Sequence, residues 1–219
     1  MWLCVLVVGL GTGLSVPWWA DAHSAARYPV AADDLAAARA ALHAIPVAPL
    51  DPDDGYSRQR FGAAWADVDH NGCDTRNDVL ARDLTDVTLG PGGCVVLAGT
   101  LDDPYTGAVI DFVRGPGSAA VQIDHVVALD NAWRTGAQTW PAARRLAFAN
   151  DPANLLAVSG KANQDKGASD ASQWLPPQAG FACVYVVRQV RVKAAYGLWM
   201  TPDEHAAAER ALRRCVVGR

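Results

Sequence analysis

Five polar residues near the middle of the chain have the types that phosphodiester hydrolysis requires: Asp124, His125, Asn154, Asn163 and Lys166. Such hydrolysis builds negative charge on phosphate oxygens, which a bound cation neutralises. Mg²⁺, Mn²⁺ or another hard divalent cation prefers oxygen ligands, so we expect the Asp124 carboxylate and the Asn163 amide oxygen to bind it. Neutral imidazole accepts protons near neutral pH, which makes His125 the predicted general base.

Further polar residues have supporting roles in the same hypothesis. We expect Asn154 to hold the loop or the imidazole by hydrogen bonds and Lys166 to contact phosphate. Arg76, Arg82 and Lys161 are additional candidate phosphate contacts. Ordinary surface roles compete with this interpretation, namely a solvated lysine at a strand end for Lys161 and salt bridges in an Asp-rich turn for the arginines.

These residues resemble a known family, the HNH endonucleases with the ββα-metal fold. The segment Asp124 to Val127, Asn154 with its two following leucines, Asn163 and the pair Lys166-Gly167 occur in the family's order. The resemblance implies a metal-dependent nuclease that acts on DNA or RNA, with His125 as base, Asp124 and Asn163 as metal ligands and Asn154 as the middle Asn. Many members have His where this chain has Asn163, and the zinc-binding Cys pairs of some members are missing.

A branch of secreted bacterial HNH-family proteins is similar over most of the chain after Tyr56. The matching segments are Trp65 to Asp78, Asp103 to Gly107 and Trp174 to Pro177. This closer similarity implies an exported protein.

Two strands and a helix must bring the polar residues together. Residues 121–126 alternate apolar and polar side chains and are rich in β-branched residues, which predicts a strand with Asp124 and His125 on opposite faces. Residues 155–158 form a second apolar run, followed by a Ser-Gly turn and the start of a helix. These patterns predict an α+β fold, and the resemblance implies a ββα-metal (HNH) core with a small antiparallel sheet and additional flanking helices.

Other patterns predict the elements around this core. Residues 94–113 have the pattern strand, turn, strand, and we expect them to continue into the sheet that supplies Asp124. Residues 131–150 predict one or two helices divided at Pro141. Two helices are predicted at the C-terminus, residues 181–196 and 206–215, the second introduced by a capping box at Thr201.

The chain begins with an apolar stretch followed by Ala20-Asp21-Ala22, a small-x-small cleavage motif. We predict a signal peptide at residues 1–22, hence a secreted, extracellular protein with no stable membrane partner after cleavage. An uncleaved membrane anchor, with the rest of the chain outside, is the alternative.

The remaining chain divides into two predicted parts. Residues 23–54 form a helical leader and linker, with one helix that begins at Asp33, is capped by Asp33 or Asp34, and is ended by prolines. Residues 55–219 form the HNH nuclease domain with its C-terminal helical pair.

Four cysteines remain when Cys4 leaves with the signal peptide. An even number in an exported chain predicts two disulfides, and buried free thiols are the alternative. We favour Cys73–Cys94 and Cys183–Cys215 among the three pairings that four cysteines allow, because each pair lies within one compact segment.

An Asp-rich segment has the oxygen spacing of a calcium loop. Asp67, Asp69, Asn71, Gly72 and Asp78 fall at positions 1, 3, 5, 6 and 12 of an EF-hand-like loop, which predicts a structural Ca²⁺ site. The last ligand is Asp rather than the longer Glu, and Cys73 ties the loop down in the competing interpretation.

The charge balance limits how nucleic acid is bound. The formal net charge of −4 at pH 7 is unusual for a protein that binds nucleic acid mainly by neutralising phosphates, so we expect a local basic cleft.

An inactive exported nucleic-acid-binding or cell-envelope protein on the same scaffold is the alternative function, and a toxin neutralised by a partner protein is a third class. The sequence leaves the oligomeric state open.

Overall fold

A computed structural model describes residues 27–218, so the predicted signal peptide at residues 1–22 lies outside the described residues. The first helix, α1, spans Ala32–Ala44 and buries Leu35, Ala38 and Leu42 along one face, the spacing that an amphipathic helix requires. The predicted cap is wrong. The N-cap is Ala31, without a side-chain hydrogen bond, and both aspartates lie in the first turn of the helix, where they complement the helix dipole instead.

Helix α2 (Thr75–Asp83) precedes a three-stranded antiparallel sheet. The strands are β1 (Thr85–Leu89), β2 (Val96–Asp102) and β3 (Val109–Val113), hydrogen-bonded in the order β1-β2-β3. The predicted strand, turn, strand pattern is therefore present as β2 and β3. Its predicted continuation into the next strand is wrong, because a short 3₁₀ turn at Ser118–Ala120 redirects the chain after β3 and the following strand joins a separate sheet.

That separate sheet has two strands and leads directly into a helix. Strand β4 (Val121–His125) pairs antiparallel with a strand much later in the chain, and the segment between them contains helices α3 (Leu129–Arg134) and α4 (Ala142–Ala149). The partner strand, β5 (Leu155–Ser159), runs straight into helix α5 (Gly160–Lys166). The order strand, strand, helix agrees with the sequence pattern.

Local chemistry fixes the junction between β5 and α5. The Ser159 hydroxyl accepts a hydrogen bond from the Ala162 N–H at 3.4 Å and caps the helix. Gly160 follows, and a Cβ at this position would lie 2.1 Å from the Ala119 carbonyl oxygen. Only glycine therefore lets α5 start this close to the turn that precedes β4.

The last two helices pack with the first. Helix α6 (Ala182–Tyr196) and helix α7 (Pro202–Arg213) share one hydrophobic core with α1, so the predicted leader helix packs into the same core as the C-terminal pair. Thr201 Oγ1 accepts a hydrogen bond from the Glu204 N–H at 3.1 Å, with Pro202 at the first helical position. The predicted capped start of this helix is present.

Both favoured disulfides are formed. Cys73–Cys94 joins the loop before α2 to the start of β2, and Cys183–Cys215 joins the start of α6 to the chain just after α7. Their sequence separations are 21 and 32 residues.

Within residues 27–218, no helix has both the length and the apolar character needed to cross a membrane.

Replacing either cysteine pair by serine should destabilise the fold by similar amounts. Cross-links that close loops of this size contribute about 3 to 4 kcal/mol, mainly by restricting the unfolded chain. Urea denaturation without reductant, comparing C73S/C94S and C183S/C215S with the wild type, measures this. Equal midpoints for all three proteins would show that the bridges do not hold the native fold.

Candidate functional site

Strand β4 places Asp124 and His125 on opposite faces, as the alternating pattern predicted. The His125 ring lies almost parallel to the Trp65 indole, with 14° between the planes and 6.1 Å between the centroids. Its Nε2 lies 2.8 Å from the Ala149 carbonyl oxygen at the end of α4. A carbonyl only accepts hydrogen bonds, so Nε2 carries the proton and Nδ1 keeps a free lone pair.

The imidazole is buried, which fixes its charge state. Only 7% of His125 is exposed. Burial lowers the pKa of His125 to about 4, the Ala149 carbonyl opposes that shift, and the positive charges of Arg58 and Lys166 add to it. The ring is therefore neutral at neutral pH.

Asp124 occupies a buried polar network on the other face of β4. Its Oδ2 accepts a hydrogen bond from the Tyr105 hydroxyl at 2.5 Å, and its Oδ1 lies 2.9 Å from Lys166 Nζ. Burial raises the pKa of Asp124, while the neighbouring lysine and tyrosine act in the opposite direction. Lys166, which we expected at phosphate, has a fully buried ammonium that also donates to the His125 carbonyl at 2.8 Å.

Asn154 fixes the backbone directly after His125. Its Oδ1 accepts from the Val127 N–H at 2.8 Å, and its Nδ2 donates to the Val127 carbonyl at 3.2 Å. Its own carbonyl accepts from the Val126 N–H at 2.8 Å. The residue is completely buried, and these bonds give it the loop-holding geometry expected from the sequence.

Two cavities border His125. The polar cavity has a volume of about 380 Å³ and is lined by Asp124, His125 and Asn163 together with Gln122 and Asp130. Asn163 Nδ2 donates to Gln122 Oε1 at 2.9 Å, which leaves the amide oxygen of Asn163 for another partner. Asp130 Oδ1 is buried without a hydrogen-bond partner among the described residues.

The second cavity, the apolar cavity, has a volume of about 450 Å³. Its walls are mostly hydrophobic, formed by residues that include Phe61, Trp65, Leu129 and Ala149. His125 and Arg58 line both cavities. The sequence patterns predicted no site role for Arg58, Asp130 or Trp65, because none belongs to the strand-strand-helix motif. Trp65 was noted only as the start of a segment that matches the closer HNH branch.

The three remaining candidate cations have other partners. Arg82 binds Asp83 and the carbonyls of Pro152 and Leu155. Arg76 is half-buried over the Phe112 ring. Lys161 is exposed and pairs with Asp165 one helical turn away at 2.6 Å. These three side chains stabilise the fold or lie on its surface, and none of them lines the two cavities.

The Asp-rich segment forms one hydrogen-bonded loop. Asp67 accepts from the N–H groups of Asn71 and Gly72, and the Asn71 side chain donates to Asp69 and Asp78. In the range 27–218, no three His, Cys, Asp or Glu side chains are grouped so that they could hold a metal ion. The calcium site stays a prediction.

Replacing Lys166 by methionine should cost about 3 to 5 kcal/mol of unfolding free energy, because it leaves a buried carboxylate without its counter-ion. Lys161→Met on the same helix is the matched control, since exposed pairs contribute at most about 1 kcal/mol. Denaturant titration of both variants provides the measurement. Equal losses would contradict the role of the buried pair.

The depressed pKa of His125 also predicts how stability depends on pH. Between the usual value near 6.5 and the native value of about 4, the unfolded chain binds more protons than the native one. The free energy of unfolding should therefore fall by roughly 3 kcal/mol as the pH drops through this window. His125→Gln should lack this component, and an unchanged pH dependence in that variant would refute the assignment.

Comparison with known proteins supplies the family. Residues 74–207 match the family model described as GmrSD restriction endonucleases, C-terminal domain. The chain is also similar to a protein of Arthroderma benhamiae described as an uncharacterized secreted protein, with 38% identity over 180 residues that cover 81% of this chain and 84% of the relative. No solved structure matches. The family model spans more than half of the chain and confirms the resemblance to HNH nucleases, so the chain belongs to the family of GmrSD restriction endonuclease C-terminal domains, which are HNH-type nuclease domains.

Proposed function

We propose that this protein is a secreted, metal-dependent endonuclease that hydrolyses phosphodiester bonds of DNA or RNA. The observation that carries the proposal is the state of His125, a neutral imidazole held through Nε2 at the edge of a cavity lined by oxygen donors. The nuclease family and the relative described as secreted support it.

His125 acts as the general base in this proposal. With Nε2 bound to the Ala149 carbonyl, Nδ1 is the atom that takes the proton from the attacking water. A base works best when its pKa is near the working pH. A phosphodiester anion beside the ring would raise the pKa of His125 from its low value in the free protein, so substrate binding itself brings the base toward its effective range.

The side chains of the polar cavity fit a hard divalent cation such as Mg²⁺ or Mn²⁺. The donors are oxygens from Asp124, Asn163 and Asp130, and the buried Asp130 Oδ1 has no hydrogen-bond partner among the described residues. Each Asp124 oxygen has a second lone pair beyond the one that accepts from Tyr105 or Lys166. When bound there, the cation would neutralise charge on the phosphate oxygens.

Lys166 and Asn154 position the proposed base and do not contact the substrate in this proposal. Lys166 balances the Asp124 charge and holds the His125 carbonyl, so we reassign it from a phosphate contact to a positioning residue. Asn154 holds Val126 and Val127, directly after the base. Both fix the end of β4, which decides where the imidazole points.

His125→Ala should reduce cleavage of plasmid DNA or RNA about a hundredfold or more, the usual contribution of a positioned general base. Purified protein is assayed with Mg²⁺, Mn²⁺ or chelator, and chelator should abolish activity. His43→Ala, a change on the exposed side of α1, controls for contaminating nucleases and should cut like the wild type.

Two outcomes would reject the proposal. Inert wild-type protein with every substrate and ion favours the non-catalytic nucleic-acid-binding alternative. Equal cleavage by His125→Ala and the wild type means that another residue is the base.

A further inference from the structure

The lysines and arginines that were predicted to contact phosphate do not supply the proposed site with a positively charged side chain. Lys166 is buried against Asp124, Arg82 binds backbone carbonyls and Asp83, and Lys161 pairs with Asp165 on the surface. A phosphodiester that approaches His125 still carries a negative charge, and a fixed guanidinium is the side chain best suited to bind two of its oxygens.

Arg58 has the required position. It begins the short 3₁₀ helix Arg58–Phe61 and lines the polar cavity as well as the apolar cavity. Of the described side chains that line these cavities, it is the only arginine or lysine. The residue is exposed, and its guanidinium forms no ion pair within residues 27–218.

We propose that Arg58 binds the substrate phosphate at the boundary between the two cavities, with the neighbouring nucleoside in the apolar cavity. This inference rests on the proposed phosphodiester substrate and adds the group that holds it. The polar cavity contains the oxygen donors and His125, whereas Phe61, Trp65 and Ala149 supply apolar surface on the other side. Aromatic and apolar surfaces of this kind accept sugars and bases without reading sequence.

Arg58 and the proposed base border the same space. Both Arg58 and His125 line the polar cavity and the apolar cavity. We therefore expect a phosphate bound by the guanidinium to lie beside the imidazole.

The test uses thymidine 3′,5′-bisphosphate as the probe, with chelator present so that no cleavage occurs. Arg58→Gln should weaken its binding by about tenfold or more, the effect expected when a charge-assisted hydrogen-bond pair is lost. Arg58→Lys should retain part of the affinity, since it keeps the charge but not the fork geometry. Isothermal titration calorimetry gives the affinities.

Arg60→Gln is the matched control, because Arg60 is an exposed arginine of the same 3₁₀ helix that lines neither cavity. It should bind the probe like the wild type. Equal binding by Arg58→Gln and Arg60→Gln, or no binding by the wild type, overturns the assignment. Thermal unfolding of each variant verifies that the fold is intact.

Cleavage assays separate this inference from the proposed function. If the wild type cuts nucleic acid, Arg58→Gln should raise the KM, because the guanidinium that binds the substrate phosphate is gone. A wild type that cuts while Arg58→Gln retains the wild-type KM refutes only the role of Arg58. A wild type that binds the bisphosphate through Arg58 but never cuts refutes only the nuclease proposal.

Discussion

The ion pair between Asp124 and Lys166 is the interaction on which the arrangement of the site depends. It joins β4 to α5, and the Tyr105 hydroxyl adds the turn between β2 and β3 to the same network. Burying two charges is costly unless their remaining hydrogen-bonding groups are satisfied. Here the Tyr105 hydroxyl donates to the carboxylate and the His125 carbonyl accepts from the ammonium, so each charged group has one hydrogen bond beyond the ion pair. The ion pair therefore fixes the position of β4, because a shift in its register against β5 would leave a charge unpaired in the core.

An aromatic cluster supports this network from outside. Tyr105 packs edge-on against Trp174 and Tyr185, with ring centroids 5.0 and 5.7 Å apart. Edge-to-face contacts favour defined ring orientations, so the hydroxyl is aimed at Asp124 by residues from the C-terminal half of the chain. Trp174 and Tyr185 therefore help to set the direction of a hydrogen bond at the site.

Local patterns were sufficient to predict part of this molecule. The period of two along β4 predicts that Asp124 and His125 face opposite ways, and the Ser159-Gly160 junction marks the change from strand to helix. What depends on tertiary placement could not be predicted. Lys166 was expected at phosphate, yet its ammonium is fully buried against Asp124, whereas the solvated role weighed for Lys161 fits its exposed side chain. Arg58 belongs to no motif, and the separation of the two sheets follows from a redirection of the chain that no strand pattern encodes.

The pairing of β4 with β5 has a consequence for the order of folding. The two strands enclose residues 126–154, and the His125 ring stacks on Trp65, before this segment, and contacts the carbonyl of Ala149, within it. Contacts between such distant segments form only after the entropy of closing long loops has been overcome. In a partly folded chain, His125 is consequently exposed to water. The neutral, shielded ring is a property of the finished molecule, and any chemistry that depends on it begins only when folding is complete.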